Sequence, residues 1–332
     1  MRIFLAGDHV TGTGPANVTQ YYIKNLPKGT LYQKRRSKPA RAVEILIDTV
    51  RADVVVYSGY SKQNILGLKL AKTLKKPSAY IMHGCVEYEN SINLEPDEEM
   101  NKVERRTLEL ADLVIAVSRT FCEWLKEYYP EHAGKFDYVT NGIDTDLMHN
   151  AVKRSERRRH MILSVGGGMP RKKIRYICEA VYKLRAGYDP DMFLCVIGAK
   201  GADSDKIAEY DFVDDRGIVS FEEGLRLFDE AAVFVQNSCF ETFGLAPIEA
   251  LMRGCPILCS KHVGALELIK DLHDEDVIND HEDAGEIASK IRNVIEDSNA
   301  ARLSSDLEWE SNSWKSRSKA LTSKLSKLVL QK

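Results

Sequence analysis

The feature that most constrains this chain is a steady alternation of short apolar runs with longer stretches of helical periodicity, maintained almost from end to end. An apolar run of four to eight residues bounded by turn residues reads as a buried strand, and strands separated by helical segments pair in parallel. In the first half the runs are Arg2 to Ala6, Asp53 to Tyr57, Ser78 to Met82 and Leu113 to Val117. In the second half they are Met161 to Val165, Met192 to Ile197, Gly217 to Ser220, Val233 to Gln236 and Pro256 to Cys259. The expected class is α/β, with two doubly wound parallel sheets. A stripe at Val43, Leu46, Ile47 and Val50 follows the i, i+3, i+4, i+7 pattern and predicts a helix that buries this face.

With 332 residues, the chain is long enough for two cores at roughly 150 residues per domain. The polar run Ala151 to His160 precedes a fresh strand and places a linker near residues 143 to 159. The expected division is a domain at 1–150, a second at 151–310, and a terminal helix at 311–332. That helix carries Trp314, Leu321, Leu325 and Leu328 on one face, which predicts packing back on the first domain. Lysine plus arginine (47) nearly balances aspartate plus glutamate (49), so no global cationic field is available for nucleic acid, and none is expected as a partner. Seven cysteines without paired spacing fit neither a disulfide framework nor a zinc site and point to a reducing compartment. The N-terminal apolar run ends at Asp8, too short for a signal peptide, and no later run approaches ~18 residues; a soluble cytoplasmic chain is expected.

The densest chemical constellation runs from Phe240 to Gly254. Pro247 suits the first turn of a short helix and Gly254 its C′ position, which puts Glu249 on the helix and Glu241 in the preceding loop. Between them Thr242, Phe243, Gly244 and Leu245 bring backbone N–H groups to a helix N-terminus, and Gly244 permits close approach of a ligand. Carboxylates accept hydrogen bonds from hydroxyls and the amides hold an anion, so a sugar nucleotide satisfies both; the alternative is an ordinary turn with two solvated glutamates. A second feature is the glycine loop Gly166-Gly167-Gly168 followed by Arg171-Lys172-Lys173. Three cations at a helix start oppose the macrodipole unless an anion binds there, the alternative being a solvated face.

These residues resemble the retaining nucleotide-sugar glycosyltransferases of the GT-B architecture, the "glycosyl transferases group 1", in which two Rossmann-like domains face a central cleft. Glu241 to Glu249 matches the family's E-x7-E motif, Lys172 occupies the lysine of its G-R-x4-K-G signature, and Thr140-Asn141-Gly142-Ile143-Asp144 resembles its interdomain segment. The resemblance implies that Glu241 and the amides of Phe243 to Leu245 hold the donor sugar and diphosphate, Glu249 the ribose hydroxyls and Lys172 the diphosphate. The family arginine is replaced by Gly167, and Arg171 is the candidate to supply its charge. In the first domain the loop containing Gly12 and Gly14 lacks the third glycine and the acidic residue of a dinucleotide site, which weighs against a dehydrogenase. In the resembling family this loop lines the cleft, making Gly12, Gly14 and Asn141 candidate acceptor-side contacts. His83, expected at the carboxyl edge of a strand, is a candidate catalytic residue or a structural histidine.

The Asp144-Thr145-Asp146 and Asp203-Ser204-Asp205 patterns are short enough to arise by chance, and no metal or cofactor is expected. The resulting expectation is transfer of a hexosyl unit from a nucleoside-diphosphate sugar to a hydroxyl acceptor on a glycan, a lipid-linked glycan or a protein-linked sugar. The alternatives are an epimerase or hydrolase acting on the sugar nucleotide, or a non-catalytic partner subunit. Lys34, Arg35, Arg36, Lys38 and Arg41, with Lys315, Arg317, Lys319, Lys324 and Lys327 of the terminal helix, further point to peripheral contact with an anionic membrane, the alternative being solvated surface.

Overall fold

The computed structural model describes residues 1–146 and 157–332; the rest of the linker expected at 143–159, and the boundary set at 150, lie outside the described residues. The chain divides into two units. One comprises Met1–Tyr88, Pro96–Ile143 and Glu310–Lys332, and the other Glu89–Glu95 and Asp144–Trp309.

The sheet of the first unit consists of β1 (Ile3–Gly7), β2 (Leu31–Tyr32), β3 (Val54–Ser58), β4 (Ser78–Met82), β5 (Leu113–Ala116) and β6 (Phe136–Tyr138), in the order β2-β1-β3-β4-β5-β6. Every pairing is parallel. β1, β3 and β4 are buried along their whole length because helices cover both faces, which is why they read as unbroken apolar runs. The terminal helix Trp314–Leu330 belongs to this unit. Its Trp314 ring stacks on Tyr21 at 4.7 Å, and a Cβ on Gly142 would sit 2.5 Å from the same indole.

The second sheet consists of β7 (Arg158–Val165), β8 (Phe193–Ile197), β9 (Val213–Gly217), β10 (Ala231–Gln236), β11 (Ile257–Ser260) and β12 (Val277–Ile278). It is also wholly parallel, in the order β12-β11-β10-β7-β8-β9. The helices Ile174–Gly187 and Ala284–Glu296 contribute Ile177, Val181, Ile287 and Ile291 to one buried cluster with Ile162, Leu194 and Val233. Each sheet reverses its winding once, between β1 and β3 in the first and between β7 and β10 in the second. The loops leaving two adjacent strands diverge there and open the crevice in which such sheets bind ligands.

Two expectations are corrected. The strand placed at Gly217 to Ser220 is Val213–Gly217, an edge strand of sequence VDDRG whose charges face solvent and break the apolar signal. The helix Lys38–Arg51 forms, but Val43, Leu46, Ile47 and Val50 are all exposed; it buries Ile45, Asp48 and Thr49. Sequence periodicity identifies an apolar stripe without identifying its partner. Here Thr49 faces the buried Tyr57 hydroxyl at 3.4 Å, and Asp48 lies 3.5 Å from the exposed Arg51 one turn on.

Candidate donor site in the second unit

β7 and β10 flank the reversal point of the second sheet, and each delivers a segment to it. After β7 the chain turns through Gly166, Gly167 and Gly168, whose N–H groups donate to Ile197 and Ala199 carbonyls at 2.7 to 3.0 Å. Gly167 has φ +55° and a Cβ there would lie 2.0 Å from the Ala199 carbonyl oxygen; on Gly166 it would lie 2.3 Å from the Lys172 side chain. No arginine fits at Gly167. The chain next forms a single 3-10 turn at Pro170–Lys172, passes through Lys173 in the left-handed region and enters the helix Ile174–Gly187.

The three consecutive cations therefore precede the helix and are paired with carboxylates, so the solvated face that was the alternative does not form. Lys172 is buried and donates to Glu241, Arg171 donates to the same oxygen of Glu241 at 3.2 Å, and Lys173 pairs with Glu282 at 2.6 Å. Gln236, the last residue of β10, adds a fourth group, its Nε2 donating to Glu241 at 2.9 Å. Sequence reasoning missed Gln236; its signal was a polar residue ending an otherwise apolar strand. Arg171 also faces Glu89 at 3.6 Å and donates its backbone N–H to Asn93 at 3.2 Å, both within the 89–95 segment grouped with this unit.

Glu241 is fixed through its backbone, donating to the His262 carbonyl at 3.2 Å and accepting from Gly264 at 3.0 Å. Burial alone would raise its carboxyl, but Lys172 and Arg171 outweigh burial and hold it down at about 2. Lys172 is lowered, since burial and neighbouring Arg171 work against the pull of Glu241, while Arg171 is raised despite burial. The cluster sets two cations against the carboxylates of Glu241 and Glu89, beside an open helix end.

That end is the helix Leu245–Met252, with Gly244 at φ +84° as its N-cap and Gly254 at φ +70° beyond its C-terminus. Among the described residues the N–H groups of Phe243, Gly244 and Leu245 donate to no backbone carbonyl, leaving three donors at the positive pole of the helix. A Cβ on Gly244 would crowd Glu241 at 3.1 Å, so the glycine keeps loop and carboxylate together. Thr242 and Phe243 are buried beneath. Glu249 lies one turn into the helix, and burial, with Asp144 adding repulsion, pushes its carboxyl up to about 7. No hydrogen bond to its carboxylate is present among the described residues.

The fold thus gathers Gly166, Gly167, Arg171, Lys172, Glu241 to Leu245 and Glu249 around one reversal point, while Gly12, Gly14, His83 and Asn141 belong to the first unit. Gly12 has φ +74°, and Gly14 opens the helix Gly14–Asn25 that follows β1. Asn141 is buried, its N–H bound to the Val117 carbonyl at 3.2 Å. His83 follows β4, and its Nε2 lies 2.8 Å from Ser58 Oγ, which lies 2.7 Å from Thr19 Oγ1. Thr19 donates to the Pro15 carbonyl at 2.9 Å, and a hydroxyl has one proton. Ser58 must then donate to Thr19 and accept from His83, which fixes the proton of the neutral imidazole on Nε2. Burial lowers His83 to about 4, so it is neutral at physiological pH.

This pair of all-parallel sheets defines the GT-B class of α/β proteins, and comparisons agree. HepE from Anabaena, solved with UDP and glucose, superposes with a TM-score of 0.71 over 98% of this chain and 100% of its own, at 14% identity. Sucrose-phosphate synthase from Thermosynechococcus elongatus gives 0.71 over both full chains at 18% identity, and the catalytic domain of Arabidopsis thaliana starch synthase IV, bound to ADP and acarbose, gives 0.68 over 98% and 99% at 14%. Residues 149–308 match the family "Glycosyl transferases group 1" and residues 4–147 match "Glycosyltransferase Family 4". The chain belongs to these GT-B glycosyltransferases. It is also 24% identical over 184 residues to a probable sucrose-phosphate synthase of Thermosipho melanesiensis, a match covering 51% of this chain and 43% of that protein.

Proposed function

We propose that this glycosyltransferase moves a hexosyl unit from a nucleoside-diphosphate sugar to a hydroxyl acceptor with retention of anomeric configuration. The observation that carries the reading is the meeting of cations and helix end at the second reversal point: Arg171 and Lys172 converge on Glu241 beside three amides that donate to no backbone carbonyl. An arriving diphosphate meets both cations and the positive pole of the helix. The amides of Phe243 to Leu245 hold its oxygens, and Lys172 and Arg171 stabilise the charge that grows as the glycosidic bond breaks. Arg171 reaches the cluster from downstream because the Gly167 position admits no side chain.

Glu241, fixed and ionised, orients sugar hydroxyls, and Glu249 accepts the ribose diol. None of these groups is placed as a nucleophile; the departing diphosphate accepts the proton of the acceptor hydroxyl, which delivers the acceptor to the face the leaving group vacates. The positive charge that meets the diphosphate comes from side chains, and we expect turnover to persist in EDTA. His83, neutral with its proton on Nε2, is the candidate catalytic residue of the first unit. Compared structures that hold UDP and glucose, UDP-glucose, or ADP and acarbose support the donor class while leaving base and sugar open.

The test is a sugar-labelled donor panel (UDP-, GDP- and ADP-sugars) incubated with and without acceptor alcohols, with product anomers read by NMR. Label on the acceptor with the donor's configuration supports the reading. An altered free sugar nucleotide would assign an epimerase or hydrolase, and absence of turnover with every pair would assign a non-catalytic partner subunit.

A further inference from the structure

We propose that the outward face of the helix Lys38–Arg51 docks on an anionic lipid bilayer, with the helix axis lying in the plane of the membrane surface. The helix is packed with its polar side inward. Ile45, Asp48 and Thr49 are buried against the first unit, while Val43, Leu46, Ile47 and Val50 are 57%, 39%, 51% and 55% exposed. At about 100° per residue these four side chains fall within one narrow arc opposite the buried one. The neighbouring helix Lys62–Thr73 approaches closely at Gly67, where a Cβ would lie 2.6 Å from Ile45, and it exposes Leu66. An apolar strip of this kind facing outward from a packed domain marks an interaction surface.

Charge identifies the occupant. Lys34, Arg35, Arg36 and Lys38 are exposed immediately before the helix and at its first turn. The acids that could neutralise them are engaged elsewhere. Glu44 accepts from the backbone N–H groups of Lys34 and Arg35 at 2.8 to 3.1 Å, which also anchors the basic segment against the helix, and Asp48 is buried beside Arg51. The face that remains is an apolar strip adjoined by flexible cations, which is the chemistry of an anionic membrane interface, where apolar side chains enter the acyl boundary and lysine and arginine meet lipid phosphates. None of the described helices is long and apolar enough to cross a membrane, so the contact is peripheral. The terminal helix contributes less than its composition promised, because Lys324 pairs with Asp137 and Arg317 contacts Thr140 and the Ser311 carbonyl.

The full chain is sedimented with vesicles of neutral phosphatidylcholine and with vesicles containing about 30% phosphatidylglycerol, at low and at about 0.15 M salt, alongside R35S/R36S and L46S/I47S. All four substituted side chains are exposed, and unchanged melting temperatures confirm folding. The expected result is binding that requires the anionic lipid and weakens with salt. R35S/R36S lowers partitioning by about fivefold per residue, and L46S/I47S lowers it by about tenfold or more. A protein that stays in the supernatant with anionic vesicles at low salt overturns the proposal, as does binding indifferent to L46S/I47S. Self-association in sedimentation velocity that L46S/I47S abolishes, without vesicle binding, would assign the face to a second copy instead. Stabilisation by sugar nucleotides reads the donor site separately, so failure of the docking surface leaves that site standing.

Discussion

The carboxyl of Glu249 makes donor binding depend on pH in a window where little else at this site titrates. Burial and Asp144 place it at about 7 in the folded chain, above its usual range, and a ribose diol is best accepted by the ionised form. A group titrating there is roughly one-tenth ionised at pH 6 and nine-tenths at pH 8, so the dissociation constant of a sugar nucleotide should fall about tenfold between those values, a change of about 1.4 kcal/mol. The sign for stability is opposite. Because folding raises this pKa, the carboxyl costs nothing below its unfolded value, weighs progressively against the fold as pH rises from there through about 7 and levels off above, while the donor-induced rise in melting temperature should grow from pH 6 to 8 because binding tightens. A sugar nucleotide is the right probe because each of its phosphates carries one ester and one anhydride linkage, which leaves only a strongly acidic hydroxyl that does not titrate here. His262 and His281, an edge-on pair, are held below the ordinary histidine range by burial and by positive neighbours. Isothermal titration across the window, repeated with Glu249→Gln, decides the matter. A flat affinity in the native protein, or a slope that survives in the glutamine variant, refutes the assignment of Glu249 to the diol.

Lys172→Ala and Arg171→Ala should each weaken sugar-nucleotide binding by about 1.5 to 3 kcal/mol and reduce its salt dependence, whereas Lys173→Ala, which loses its pairing with Glu282 and its place over the Tyr176 ring, should change affinity little; calorimetry in low and high salt reads all three. Gly167→Arg restores the family residue on paper but must force a left-handed backbone and a 2.0 Å overlap with the Ala199 carbonyl, so it should cost roughly 3 kcal/mol or more in urea unfolding; native stability would show that the loop yields. Ser58→Ala removes the acceptor of the His83 Nε2 proton, and nitrogen chemical shifts of the imidazole should move toward the Nδ1–H tautomer, with turnover falling more than donor affinity; an unchanged tautomer would mean that Ser58 does not set it.

Much of the architecture was legible because parallel strands covered on both faces are written as uninterrupted apolar runs, and β4 was read at both its ends. The failures share a cause. β9 is a half-solvated edge whose register is set by pairing with β8, and β6 and β12 are three and two residues long, so their sequences carry little of the information that makes them strands. The helix Lys38–Arg51 shows the complementary limit, since period and stripe were read correctly and the buried side was not. At the site, Pro247 and Gly254 announced the short helix and its ends, and spacing announced the two glutamates. The four-way meeting of Arg171, Lys172, Gln236 and Glu241 was not readable, because it depends on β7 and β10 becoming neighbours although β8 and β9 lie between them in the chain.

The stacking of Trp314 on Tyr21 reaches into how the chain is made. The first unit is interrupted by the second and completed only by its terminal segment, so a nascent chain that has finished β6 still lacks the indole that covers Tyr21, Tyr22 and the Gly142 turn. At ~5–20 residues per second the ribosome spends on the order of ten seconds or more on the intervening unit before that indole emerges. Throughout that interval an aromatic seat stays open on a half-built domain. Synthesis order therefore exposes this seat to chaperones and to neighbouring nascent chains, and slowing or speeding translation of the inserted unit changes how long it stays uncovered.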